Sequence, residues 1–212
     1  MSNKILFVLF FYINISYSQT SVEGKNLLNQ VSDKMGSYSS IQFNFSYVLN
    51  NLKEQINQES FGEITVSGDL YKLDFLDATQ LYDGNLIYTI IAENEEVTIT
   101  NPDDELNQYA ISPSYLLSFY KEGYDYQWDI KQFIREKNIQ FIKLIPVDEN
   151  TDIQYLLVGV DIDNKHLFRI IEIGNNGTQT TLTIEKMETN VSLPVNYFKF
   201  EKKDYPNFYI IE

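Results

Sequence analysis

Cysteine is absent from this chain, and histidine occurs once, as His166. Thiolate metal sites, iron–sulfur clusters, cysteine nucleophiles and disulfides are thereby excluded, as are zinc sites built from several histidines. Basic residues are scarce: 16 Lys and Arg stand against 30 Asp and Glu, for a net charge of −14. So acidic a surface repels phosphate backbones, which argues against a nucleic-acid binder. Phosphate-cradling and dinucleotide glycine motifs are missing, and so is the G-x-S-x-G nucleophile turn. A Ser-His-Asp triad would have to be built around His166. No catalytic residue, metal site or cofactor is expected.

What the chain does contain is apolar and aromatic: 43% of its 212 residues are hydrophobic and 15% aromatic. That is too much to stay disordered, and the length fits one domain. Residues 1–18 read MSNKILFVLFFYINISYS. Lys4 precedes an apolar run from Ile5 to Ile15, and Ser16 and Ser18 are small residues before a cut at Gln19. This is the pattern of a secretory signal peptide, too short for the roughly 20 apolar residues of a spanning helix. The expected division is a signal peptide at 1–18 and one domain at 19–212. No cysteine follows the apolar run, so no lipid anchor can attach there. The mature protein is expected to be exported, soluble and monomeric, relying on its core alone.

The periodicity predicts a helix over 22–37, with Leu27, Leu28, Val31 and Met35 on one stripe, Ser21 as N-cap and Gly36 as stop. The period then changes to two. Ile41, Phe43, Phe45, Tyr47 and Leu49 alternate with mostly polar residues, which is a strand with one apolar face. Ile64–Val66, Tyr71–Phe75, Thr79–Tyr82, Leu86–Ile91 and Val97–Ile99 read as further strands. Asp83-Gly84 is expected to form a two-residue type I′ turn. Ser112-Pro113 opens a second helix carrying Leu116, Phe119 and Tyr120, with Gly123 as stop. Ile139–Ile145, Ile153–Ile162, His166–Ile173 and Thr178–Met187 form a meander with turns at Asp163-Asn164 and Asn176-Gly177. Phe198–Phe200 and Tyr209–Ile211 are expected as short closing strands. The predicted class is mainly β (α+β): a single large curved antiparallel sheet with two helices on one face.

Polar candidates are few. Asp161, Asp163 and Asn164 superficially match a calcium loop, but its sixth-position glycine and closing glutamate are missing. A polar hairpin turn is the simpler reading. Asp103-Asp104-Glu105 and Glu93–Glu96 read as solvated acidic loops. Asn44, Asn176 and Asn190 begin glycosylation sequons, which matter only in a pathway that glycosylates. The apolar strand and helix faces allow two readings, an ordinary core or a cavity large enough for acyl chains. More strands than two helices can cover favours the cavity. Its expected lining is Leu27, Val31, Met35, Phe43, Phe45, Tyr47, Tyr71, Leu73, Phe75, Leu86, Tyr88, Leu116, Phe119 and Tyr120.

The order of these pieces resembles the periplasmic outer-membrane lipoprotein carriers of the LolA type, in a divergent form found in Bacteroidetes-like bacteria. The resemblance lies in the signal peptide, the Leu27–Met35 helix, Phe43-Asn44-Phe45-Ser46-Tyr47 and Gly62-Glu63-Ile64. It continues through Tyr71–Phe75, Leu81–Tyr88, Ser112-Pro113 with Leu116-Leu117, Leu144-Ile145-Pro146, Leu193-Pro194 and Phe198-Lys199-Phe200. It implies an unclosed β-barrel with helices as a lid over an apolar cavity that holds lipoprotein acyl chains. It also implies a periplasmic carrier, with an inner-membrane exporter as donor and an outer-membrane acceptor. One departure stands out. The family's arginine-proline pair before the third strand is replaced here by Val66-Ser67-Gly68-Asp69-Leu70, so lid closure through that arginine does not carry over. The competing readings are a binding or sensor module of the same fold for another amphiphile such as a glycolipid, an enzyme built on a buried His166, and an adhesion domain with a filled core.

Overall fold

The computed structural model describes residues 16–102 and 119–211. One helix, α1 (Ser16–Gly36), precedes the strands β1 (Ile41–Asn51), β2 (Ile56–Ser67), β3 (Leu70–Phe75), β4 (Ala78–Tyr82), β5 (Ile87–Ile91) and β6 (Glu96–Thr100). A 3-10 turn at Phe119–Lys121 leads into β7 (Tyr124–Ile134), β8 (Lys137–Pro146), β9 (Ile153–Asp161), β10 (His166–Gly174), β11 (Gln179–Thr189) and β12 (Tyr209–Ile211). All twelve strands belong to one sheet in the order β12-β6-β5-β4-β3-β2-β1-β11-β10-β9-β8-β7. The sheet does not close, since β12 and β7 are its two ends. Every pairing is antiparallel except β12 with β6. The two halves of the chain join at β1, which pairs β2 on one side and β11 on the other.

Alternation along each strand divides the sheet into two faces. Phe43, Ile64 and Leu73 stand opposite one another across β1, β2 and β3 on the concave face. Ile142 and Val158 continue that face on β8 and β9. α1 lies on it and buries Leu27, Leu28, Val31 and Met35 there. On the opposite face, Leu81, Ile90 and Val97 form a second cluster, packed by Tyr88, Phe200, Tyr205 and Phe208. Ile139, Phe141 and Phe168 form a third.

Several expectations change. α1 is already formed at Ser16, the first described residue, so Ser21 lies inside the helix rather than capping it, and the expected cut after Ser18 falls within α1. Gly36 does end it, and the Ser37 hydroxyl and amide both donate to the Lys34 carbonyl. The second helix, 112–123, lies mostly outside the described residues; its end is the 3-10 turn, and Leu116 is among the residues not described. β2 starts at Ile56, well before Ile64, because it pairs with β1 without interruption from Val66 to Ile56. Its polar stretch, Asn57–Ser60, hides that length in the sequence. β7 has no counterpart among the expected strands. It is an end strand, mostly exposed, and a bulge between Trp128 and Lys131 breaks its alternation. Phe198–Phe200 is not a strand; Phe200 stacks on Tyr88 at 4.8 Å as part of a cover over the convex face.

The Asp83-Gly84 turn is also corrected. Tyr82 pairs with Ile87, so the connection has four residues, and the Asp83 carboxylate accepts the Asn85 and Leu86 amides at 2.9 Å each. Gly84 alone takes a positive φ there, +95°. At the β9–β10 turn the buried Asp161 carboxylate accepts from the Asp163 amide and the Asn164 side chain. It is a turn staple, as the hairpin reading expects.

The helix–sheet contact makes a direct prediction. Leu28→Ala, at a position 1% exposed, should cost about 2–5 kcal/mol in urea unfolding. Val22→Ala, on the exposed side of the same helix, should stay within about 0.5 kcal/mol. Equal effects of the two would place α1 off the sheet.

Candidate functional site: the concave face under the helix

The concave face gathers most of the expected lining. Leu27, Val31, Met35, Phe43, Phe45, Tyr71 and Tyr120 are buried members of one cluster. Tyr47, Leu73 and Phe75 pack against it from partly exposed positions. Phe119 stands in the 3-10 turn beside Tyr120. Two residues do not join. Tyr88 faces the convex side, one position out of phase with Ile87, and Leu86 sits in the β4–β5 turn. The far wall of the hollow is absent from the expected lining: Tyr126, Ile142, Leu144, Leu156, Val158, Val160, Leu167, Ile170 and Ile184. The alternation of Leu156, Val158 and Val160 is legible in the sequence. What the sequence does not carry is that β7–β11 curl to the same helix as β1–β3.

An aromatic stripe crosses one end of the hollow. Phe43 meets Phe45 at 6.2 Å between ring centres, and Phe75 lies 5.4 Å from both Phe45 and Tyr47. Gly62, paired with Phe45 on one side and Phe75 on the other, makes this possible. A Cβ at Gly62 would fall 2.4 Å from Phe45 Cζ and 2.9 Å from the Asp74 carbonyl oxygen. The Phe45 ring therefore occupies the space of the missing side chain. At the tip of the β3–β4 hairpin, beside Phe75, the sheet opens into a cleft of about 530 Å³.

Polar groups in the hollow are used internally. The Tyr71 hydroxyl donates to Gln80 Oε1 at 2.8 Å, and burial, helped by Tyr82, pushes its phenol up to about 12. The Tyr126 hydroxyl reaches the carbonyls of Tyr120 at 2.9 Å and Lys121 at 2.6 Å, which ties the 3-10 turn to β7. Burial also pushes the Tyr120 phenol up. No buried side-chain polar atom among the described residues lacks a hydrogen bond.

His166 opens β10 and is half-buried. The Tyr38 hydroxyl lies 2.7 Å from its Nε2, and the rings meet edge to face at 5.7 Å. This contact fastens the end of α1 to the β9–β10 turn. Burial holds the imidazole below its ordinary pKa, Asp161 opposes that, and Lys34 and Lys137 reinforce it. Among the described residues no three His, Asp or Glu side chains are grouped to hold a metal. The arrangement offers an apolar surface and a latch.

No protein-family model and no curated protein matches this chain. Solved structures do. The chain is similar to an uncharacterized conserved protein from Thermus thermophilus, with a TM-score of 0.61 at 8% identity over 89% of this chain and 98% of that one. A LolA superfamily protein from Nitrosomonas europaea matches with a TM-score of 0.44 at 11% identity, over 84% of this chain and 97% of that one. MucB of Pseudomonas aeruginosa, in its complex with MucA, matches at 0.47 and 14% identity, over 85% of this chain and 62% of that one. The likeness is one of fold. In this chain that fold is an unclosed, mainly antiparallel sheet packed on α1.

Two outcomes test this geometry. Gly62→Ala should displace Phe45 and lower stability by about 1–3 kcal/mol, the usual cost of overpacking; an unchanged urea midpoint would show that the ring is not seated there. Because the His166 pKa is lowered by folding, the unfolded chain takes up the proton first. Stability should therefore fall as pH drops below about 6.5, the ordinary histidine value, toward the lowered one. His166→Gln should flatten that part of the profile, and a profile identical to the parent's would contradict the latch.

Proposed function

We propose that this protein is an exported carrier that shelters the acyl chains of lipoproteins between its concave face and α1. The observation behind this reading is a continuous apolar surface on an open sheet, crossed by a helix and bordered by aromatic rings, with polar groups paired among themselves. The resemblance of the sequence to LolA-type carriers points the same way. Signal-peptide cleavage near Ser18, delivery from an inner-membrane exporter to an outer-membrane acceptor, and action as a monomer without cofactor or catalysis complete the proposal.

The energetics suit a carrier. Each sheltered CH₂ is worth about 0.8 kcal/mol, so a long acyl chain would gain on the order of 10 kcal/mol. Retention at that strength would prevent release. Here Leu27, Val31 and Met35 already fill the hollow, and cargo must displace them, which lowers net affinity. The helix takes over the closing role that the family gives to an arginine. Among the described residues its end is fastened by Tyr38 and His166. A second reading keeps the same hollow for another amphiphile, such as a glycolipid, in a binding or sensor module. The identity of co-purifying lipid by mass spectrometry separates the two.

Delipidated protein should take up a fluorescent fatty-acyl probe, and Phe45→Glu should reduce uptake by at least about tenfold, equivalent to 1.4 kcal/mol. Circular dichroism checks that the variant is folded. Undiminished uptake by a folded Phe45→Glu would rule out the hollow as the binding surface.

A further inference from the structure

The cleft at the β3–β4 tip has a shape and a charge of its own. On the β2 side β3 pairs with Gly62–Ser67 alone, so Ile56–Phe61 of β2 run on beyond the hairpin and leave a notch in the sheet. The notch is the cleft of about 530 Å³, within the roughly 300–1,000 Å³ typical of ligand pockets. One lip is the β3–β4 turn. Phe75 and Ala78 are paired, and the two residues between them, Leu76 and Asp77, take φ of +50° and +60°. That left-handed backbone favours glycine, yet the turn holds a leucine with its side chain 65% exposed. The other lip carries Phe61, 67% exposed. Two large apolar side chains thus stand in solvent on facing lips of one cleft.

Phe75 lines the cleft and also packs on Phe45 and Tyr47 at the end of the hollow, so its ring stands between the two spaces. Apart from Ala78 the remaining lining is polar and acidic: Ser60, Asp74, Asp77 and Thr79. Asp74 accepts from the Thr79 hydroxyl and is countered by Lys72 at 3.2 Å. Asp77 adds a second carboxylate on a protein whose net charge is −14.

Resting on the carrier reading, we propose that this cleft is the entry site for an amphiphile, that Phe75 and Phe45 gate its passage into the hollow, and that its head group donates hydrogen bonds and carries no negative charge. Sugar hydroxyls or an amine satisfy the two carboxylates and the hydroxyls. A phosphate or carboxylate head is repelled. Leu76 and Phe61 cover the first carbons of the chain while the head group stays at the mouth.

The test is calorimetric titration of the full mature chain with four decyl amphiphiles below their micelle concentrations: decyl maltoside, decylammonium, decanoate and decyl phosphate. The first two should bind at least about tenfold more tightly than the last two. Asp77→Asn should narrow that gap. Leu76→Asp, at an exposed turn position, should weaken decyl maltoside at least about tenfold, and Val195→Asp, exposed elsewhere, should leave it unchanged. Equal binding of all four heads would overturn the selectivity. Binding indifferent to Leu76→Asp would overturn the entry site and leave the carrier reading standing. Absence of binding by all four would overturn both.

Discussion

The seating of α1 on the concave face is the contact on which the rest of the molecule depends. A sheet of twelve strands that does not close has an apolar side that must be covered. Leu27, Leu28, Val31 and Met35 cover it from the middle, touching both halves of the sheet. Without cysteine, no disulfide can substitute for that contact. The same contact is also the part that a bound hydrocarbon would replace, so stability and proposed function draw on one set of side chains. In the proposed role the helix is both core and competitor, which is how a hollow so well filled is compatible with binding.

The convex face is managed differently. There the segment 200–211 does the covering: Phe200, Tyr205 and Phe208 pack over Leu81, Ile90 and Val97, and Tyr209–Ile211 adds a parallel strand to β6. At the other end of the sheet β7 carries no further strand among the described residues, and its exposed residues include Trp128, Ile130 and Phe133. Polar pairing across the convex side is dense. Ser46 and Arg135 both donate to Glu185, and the Arg169 guanidinium donates to Thr183. Burial pushes the Glu185 carboxyl up, but those two donors outweigh it and hold its pKa low. Glu172 is an acidic residue on the inner side: it shares the concave face of β10 with Ile170, and burial pushes its carboxyl up.

The strands whose apolar residues alternate cleanly can be read from the sequence. Phe43-Asn44-Phe45-Ser46-Tyr47 and Tyr71–Phe75 announce both their conformation and their buried side. Where alternation fails, legibility fails with it. β7 is hidden by a bulge and an exposed edge, and the first half of β2 by polar residues that need pair only with β1. Phe198 and Phe200 look like strand residues because aromatics favour strands, yet neither lies in one, and Phe200 serves as a cover. Tyr88 reads as a residue of the hollow, but it is one position out of phase with Ile87, and a single step along a strand changes its face. The opposite wall of the hollow is not legible, because curvature of a sheet over many strands is a tertiary property. Phe45 folding onto Gly62 has a visible sign, a lone glycine inside a strand, whose meaning depends on which ring lies above it.

If hydrocarbon takes the place of the helix's side chains on the concave face, isotope-filtered NMR with a bound ¹³C-labelled acyl chain should show contacts from the chain to Val31 and Phe43 together with faster amide exchange along α1. Contacts confined to the exposed residues of β7 or to the convex face, with α1 as protected as in the free protein, would contradict that replacement.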